Sequence, residues 1–462
     1  MISPVVLALS AACLLVSSVA YSDIVASVQD GSWHDPATWS GGLVPGFSAE
    51  AVINHHVFIG AGLSAEVTAV SVAGHLVLEA GAVLQLSGAA DNQTLTVTGI
   101  LECAEGSLLN GISSLSARFD AGSRYIHRQG PQGFIPLATW HLESTLQISG
   151  FVDDGYINLA HSQSWRQSFG NVAYDCPEQT VFVVDLNGNL RDIRGNLTIK
   201  STNNKALRLS TTQQTSINIG GNLSIEGPTQ VWFTTNSVNC TVNIGGDFLY
   251  RSQATAASYL ATRGNIRLVI GGDWIIDSTS ALRMASSAAD STGSRQANVT
   301  LGGNFRLSRG SLIAPPPGSG IGLIEFTGSS LQRVEIGQIA TPLVGNLAYT
   351  ISVGSRVNLG ESALFSEMGS LELNGTLELG STDGAGAIQS GSSGGNIRIP
   401  GTRTFGAASR VVYNGTAQQT MGDGHPPMPH TVVDNPAGLV QSHDVEIKGD
   451  LTIVQGSISQ AG

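Results

Sequence analysis

The residues with the clearest chemical capacity lie near the N-terminus. His55 and His56 are adjacent, with His34 and Asp35 upstream, and together they form the one local histidine–acid cluster. Neighbouring residues of a strand face opposite sides of a sheet, so these two imidazoles do not easily share a metal, and an edge or loop pair is expected. Trp33 and Trp39 have ring faces suited to stacking on sugars, and with His55 and His56 they make a weak set of glycan-contact candidates. At the end of a stack of strands, the two indoles are expected first of all to cover an open core. His425 and His430 bracket Pro426-Pro427-Met428-Pro429, ligand types held in an extended loop. Gly391-Ser392-Ser393-Gly394-Gly395 matches G-x-S-x-G in form only, because it lies in a Gly/Ser-rich stretch and not at a strand-to-helix turn. Asp185-Leu186-Asn187-Gly188-Asn189 imitates the start of a calcium loop, but its glycine is misplaced and Asn196 stands where the loop needs Glu, so a turn is expected. Asp153-Asp154 and Asp423 are of calcium-ligand or acid type without an identifiable partner, and Gly155 makes the Asp pair a turn. No catalytic, cofactor-binding or metal-binding residue is therefore assigned; calcium is the one ion whose ligand chemistry is present, without a supporting ligand set.

The composition narrows the partners. Of 462 residues, 12% are charged, about half the usual share, while 41% are hydrophobic and 57 are glycine. That much apolar surface excludes simple disorder. The net charge is −12, three bases are lysines, and residues 1–117 hold nine acids and no Lys or Arg. A nucleic-acid partner is excluded, since phosphate binding needs a basic stripe.

Val5 to Val16 is a short apolar core followed by Ser18-Val19-Ala20, the form of a secretory signal peptide over residues 1–22, although its start lacks Lys and Arg. A buried N-terminal element and lipidation at Cys13 are the alternatives. No later stretch reaches the ~20 apolar residues of a transmembrane helix. Cys103, Cys176 and Cys240 are too few and too scattered for a disulfide framework or a zinc motif and are expected as small core residues.

Positioning would come from repeats. Ile217-Asn-Ile-Gly-Gly-Asn-Leu-Ser-Ile225 recurs as Val242–Tyr250, Leu268–Ile276 and Val299–Leu307, with a shorter copy at Ile193–Ile199 and a late one at Val445–Ile453. From Gly195 through Gly221, Gly246, Gly272 and Gly303 the steps are 26, 25, 26 and 31 residues. Period-2 alternation marks strands with one buried face. Those four later glycines are expected in equivalent turns, some with positive φ. Ile219, Ile244, Ile270 and Leu301 should form an inward ladder. A repeat this short excludes propeller blades, and the lack of helical periodicity excludes βαβ, ankyrin and leucine-rich architectures. The expectation is all-β: a right-handed parallel β-helix or β-solenoid with about 25 residues per coil and a length of roughly 80 Å. A second repeat aligns Ile324–Val334 with Val411–Met421, sharing an aromatic, a Gly, a hydroxyl residue and a Gln.

Asp30-Gly-Ser-Trp33-His-Asp-Pro-Ala-Thr-Trp39-Ser-Gly-Gly-Leu-Val-Pro-Gly46, with Ala51–Val57 and Val70–Leu86, resembles the opening of G8-like domains, closest to those of secreted Bacteroidetes surface proteins. Tyr125–His127, Ile135–Trp140, Gln167–Asn171 and Cys176–Thr180 also resemble these proteins. The resemblance implies an exported β-helical protein, often with a C-terminal sorting domain that is not visible here. Some animal proteins with G8 domains act on hyaluronan, an activity that does not follow from the G8 domain itself.

The expected organisation is a signal peptide over 1–22, a G8-like β cap over 23–118, a less regular β segment over 119–190, β-solenoid repeats over 191–320 and a second repeat set over 321–462. The last set ends without a capping segment, as the front of a longer array would, and continuation into or stacking with further solenoid units is expected. The function expected is a secreted or cell-surface structural and adhesive rod, with polysaccharides or cell-surface glycans as partners, and non-enzymatic. The alternative is a β-helical carbohydrate-active enzyme, such as a polysaccharide lyase, which requires acid, Arg and His or Tyr residues to converge from successive coils.

Overall fold

Alternating apolar and polar residues between Gly-, Asn- and Thr-rich corners produce strands that span from two to twelve residues. The computed structural model describes residues 23–461 apart from 88–93, 112–115, 154–156, 158–161, 212–213, 236–237, 287–294, 317, 338–342, 392–393 and 428–429. The signal-peptide segment 1–22, Cys13, Asp154, Ser392, Ser393 and Met428-Pro429 lie outside the described residues.

Successive coils each contribute strands to as many as three faces, and every pairing between the named strands is parallel. The first face runs from Ile24–Ala26 through Glu50–Ile53, Ala69–Val72, Leu95–Val97 and Ala117–Phe119 to Thr139–Trp140. It resumes at Ser168–Phe169 and passes through Asp192–Ile193, Thr215–Ile219, Asn239–Ile244, Asn265–Ile270 and Arg295–Leu301 to Arg403–Phe405. The second face begins with Gly31–Ser32, His56–Ile59, His75–Leu78, Ile100–Cys103, Arg124–His127 and Thr145–Ile148. The third includes Val183–Asp185, Ala206–Ser210, Gln230–Thr234, Ser258–Ala261 and the C-terminal half of Trp274–Ala285. This is an all-β stack of long parallel sheets, consistent with a β-solenoid or β-helix.

Stacking in register turns the alternation into ladders. Ile219, Ile244, Ile270 and Leu301 are directly aligned and buried, as the repeat predicts. The same column continues through Phe326, Ile351 and Leu373 to Phe405. One hydrophobic cluster extends from Val25 to Leu439, and strand pairing crosses the expected boundaries at 118/119 and 320/321 without a break.

The Gly-Gly-Asn/Asp motif has a different cause from the one expected. Gly221, Gly246, Gly272 and Gly303 are equivalent positions, but none has positive φ. Beside them, each Asn or Asp side chain accepts the backbone N–H of its counterpart one coil on. Asn171 accepts from Asn196, Asn196 from Asn222, Asn222 from Asp247, Asp247 from Asp273 and Asp273 from Asn304, all at 2.7–2.9 Å. A Cβ on Gly246 would stand 2.1 Å from Asn222 Oδ1, and one on Gly272 2.2 Å from Asp247 Oδ1. The glycines clear space for a polar ladder.

The second repeat likewise encodes a buried clamp. Gln332 accepts from Gly328 N and donates to the Leu301 and Gly303 carbonyls; Gln419 accepts from Gly415 N and donates to Leu379 and Ser381. An uncapped backbone corner inside the stack would leave buried polar groups unpaired, and one amide side chain satisfies three of them.

Candidate functional site

Outward positions of the third face carry an aromatic and charged column. Asp185, Arg208, Trp232, Tyr259 and Arg283 are direct neighbours from strand to strand. Val231 and Phe233 point into the core, so Trp232 takes the phase that a polar residue usually fills. The Arg208 guanidinium lies over the Trp232 ring at 5.2 Å from its centroid, a cation–π contact, and its Nη1 stands 3.4 Å from Asp185 Oδ2. Tyr259 meets Trp232 edge-on at 6.2 Å, and Phe182, 65% exposed, meets it from the other side at 6.1 Å. Arg208, Trp232, Thr235, Tyr259, Thr262, Arg263 and Ser286 line an open groove of about 330 Å³. Rings, guanidinium groups and hydroxyls on a flat face can stack on a sugar ring and hydrogen-bond its substituents.

A second polar group lies on the outer side of the second face. Glu102 stands between Arg128, whose Nη1 is 2.9 Å from Oε1, and His75, whose Nε2 is 3.4 Å from Oε2. His75 lowers the Glu102 carboxyl below its ordinary range, partial burial opposes this, and Arg128 adds to the lowering, so Glu102 is held ionised. Glu102, Arg128, Gln147, Ser149, Asp175 and Glu178 line a shallow groove of about 320 Å³.

The residues singled out from sequence are dispersed. Trp33 and Trp39 are 1% and 2% exposed, pack edge-on at 5.0 Å, and Trp39 Nε1 donates to the Trp33 carbonyl at 2.6 Å. They are core at the N-terminal end and are not available to a glycan, which removes them as contact candidates. His55 and His56 do separate: His55 Nδ1 bonds Ser27 Oγ at 3.0 Å, while His56 meets the ring of His75. His34 Nε2 bonds the Ser64 carbonyl, and Asp35 caps Ala37 N. Asp185 receives Asn187 N in a turn with Asn187 and Gly188 at positive φ, and its other oxygen takes Thr211 and Arg208. Asp423 ties down Ser390 through N and Oγ. His425 is buried against Tyr413. Cys103, Cys176 and Cys240 are buried free thiols, pushed by burial up to about 12, 11 and 12.

The sequence pass missed Arg208, Trp232, Tyr259, Glu102 and His75. For Trp232 the signal was present, since an indole flanked by Val231 and Phe233 breaks the polar phase of an alternating strand. Comparison of the chain with protein-family models, curated proteins and solved structures returns no match.

Proposed function

We propose that this chain is an exported, surface-held rod of right-handed coils with a G8-like N-terminal cap, and that it binds polysaccharide along the column from Asp185 to Arg283. The handedness follows the sense that about 98% of parallel crossovers take. The observation that carries the binding reading is the outward Arg208–Trp232–Tyr259 column beside its open groove. Evenly spaced coils repeat such contacts along one direction, as an extended polymer does, and weak contacts in series add through effective concentration. Export is supported by the apolar segment before Ser18-Val19-Ala20.

One observation favours the enzyme reading as a second possibility: Glu102, Arg128 and Asp175, from separate coils, share a groove, with His75 against Glu102. A single experiment separates the two. The chain is passed over immobilised neutral and acidic polysaccharides, with retention and released reducing or unsaturated ends both scored. Trp232→Ala should lower retention about tenfold while leaving the unfolding midpoint within a few degrees, as for an interface anchor. Retention unchanged in that variant overturns the column as the site. Product release that disappears in Glu102→Gln transfers the function to the second groove.

A further inference from the structure

Parallel register brings together two histidines that lie 19 residues apart in the chain. His56 and His75 are direct partners on adjacent strands, both on the outward phase, with ring centroids 4.9 Å apart and ring planes at 66°. His56 is exposed and His75 half-buried. Among the described residues, neither His56 ring nitrogen and not Nδ1 of His75 has a hydrogen-bond partner. His75 Nε2 is buried and faces the Glu102 carboxylate at 3.4 Å.

We propose that His56 and His75 form a two-imidazole site for a divalent transition ion of the zinc, nickel or copper class, with Glu102 orienting His75. Bonds of about 2.0–2.1 Å from zinc to imidazole nitrogen place two centroids about 4.5–5.2 Å apart when the nitrogen–metal–nitrogen angle is about 90–110°. The observed separation falls within that window. Glu102 takes the place that a carboxylate holds behind a metal-bound imidazole, where it fixes the tautomer with the proton on Nε2 and leaves the Nδ1 lone pair for the ion. Imidazole donors select zinc, nickel and copper over calcium or magnesium. Asp30 Oδ1 accepts from His56 N at 2.8 Å and sets an exposed carboxylate beside the pair. Among the described residues no group of three or more His, Cys, Asp or Glu side chains could hold a metal, so water completes the coordination and the site stays open to an exogenous ligand. The proposal is independent of the glycan reading.

The test is calorimetric titration of the purified chain, without a histidine tag, with Zn²⁺. Wild type should bind one equivalent; His56→Ala and His75→Ala should each weaken it at least tenfold, and Glu102→Gln about tenfold, the usual effect of removing a carboxylate behind a ligand. His55→Ala, on the opposite side of the strand, should leave it unchanged. Copper resonance spectra should show two coordinating nitrogens in wild type and one in His75→Ala. No binding by wild type, or equal binding by wild type and the His56→Ala/His75→Ala double variant, overturns the site.

Discussion

His127 and His425 show what burial does to one residue. His127 Nε2 faces the Gly130 carbonyl at 3.0 Å, and His425 Nδ1 meets the Tyr413 hydroxyl at 2.7 Å. Desolvation pushes both imidazoles down to about 4, so each is neutral in the fold at neutral pH. The unfolded chain protonates its histidines near pH 6.5 and therefore binds more protons between about pH 6.5 and 4. Stability is then flat above pH 7 and falls as pH drops through that window, by on the order of 2–3 kcal/mol per histidine, with nothing further lost below it. Urea unfolding followed from pH 8 to 4 checks this. The His127→Gln/His425→Gln double variant should be weaker at pH 8 yet lose most of the slope between pH 6.5 and 4.5. An unchanged slope would assign it to carboxylates.

At the scale of strands, what was legible depended on period. The inward ladder through Ile219, Ile244, Ile270 and Leu301 follows from alternation plus a near-constant step, and the structure has it. The His56–His75 contact was hidden because that coil is 19 residues long while the marked repeats step by 25 or more, so no fixed period aligns the pair. The outward column through Trp232 and Tyr259 was equally hidden, since which strands become neighbours is decided by coil length and not by local pattern. The glycines were located correctly but for the wrong reason. Positive φ would make the cost of a side chain at Gly246 independent of its neighbours; the polar ladder makes it depend on Asn222. Gly246→Ala should cost about 1–3 kcal/mol by overpacking, and Asn222→Ala about 0.5–1.5 kcal/mol by removing the acceptor for Asp247 N. With Asn222 shortened, the nearest remaining atoms to the new Cβ lie at 3.1 Å. The double variant should therefore be more stable than the sum of the singles by about 1 kcal/mol, within the range for touching residues. Strict additivity in denaturant titrations would return the explanation to the backbone.

Over the whole molecule, a stack of coils with a continuous core has neighbours but no centre. Ile244 and Ile270 touch across one coil step, while Ile53 and Ile351 are equally buried and belong to distant coils. Each Ile→Ala change should cost about 2–5 kcal/mol, because the stack cannot collapse onto the void without shifting its register. If stability is a sum of coil terms and nearest-neighbour interfaces, the Ile244→Ala/Ile270→Ala pair departs from additivity by about 0.5–3 kcal/mol, and the Ile53→Ala/Ile351→Ala pair adds to within about 0.5 kcal/mol. Hydrogen exchange read coil by coil gives the sharper measurement. Ile270→Ala should deprotect Asn239–Ile244 and Arg295–Leu301, its partners on either side, and Ile53→Ala should leave Leu347–Ile351 protected. Equal loss of protection everywhere in Ile53→Ala would mean that the stack unfolds as one unit. The same locality bears on binding, because a coil spacing of about 4.8 Å, held by each interface separately, keeps Arg208, Trp232 and Tyr259 in line even when a distant coil opens.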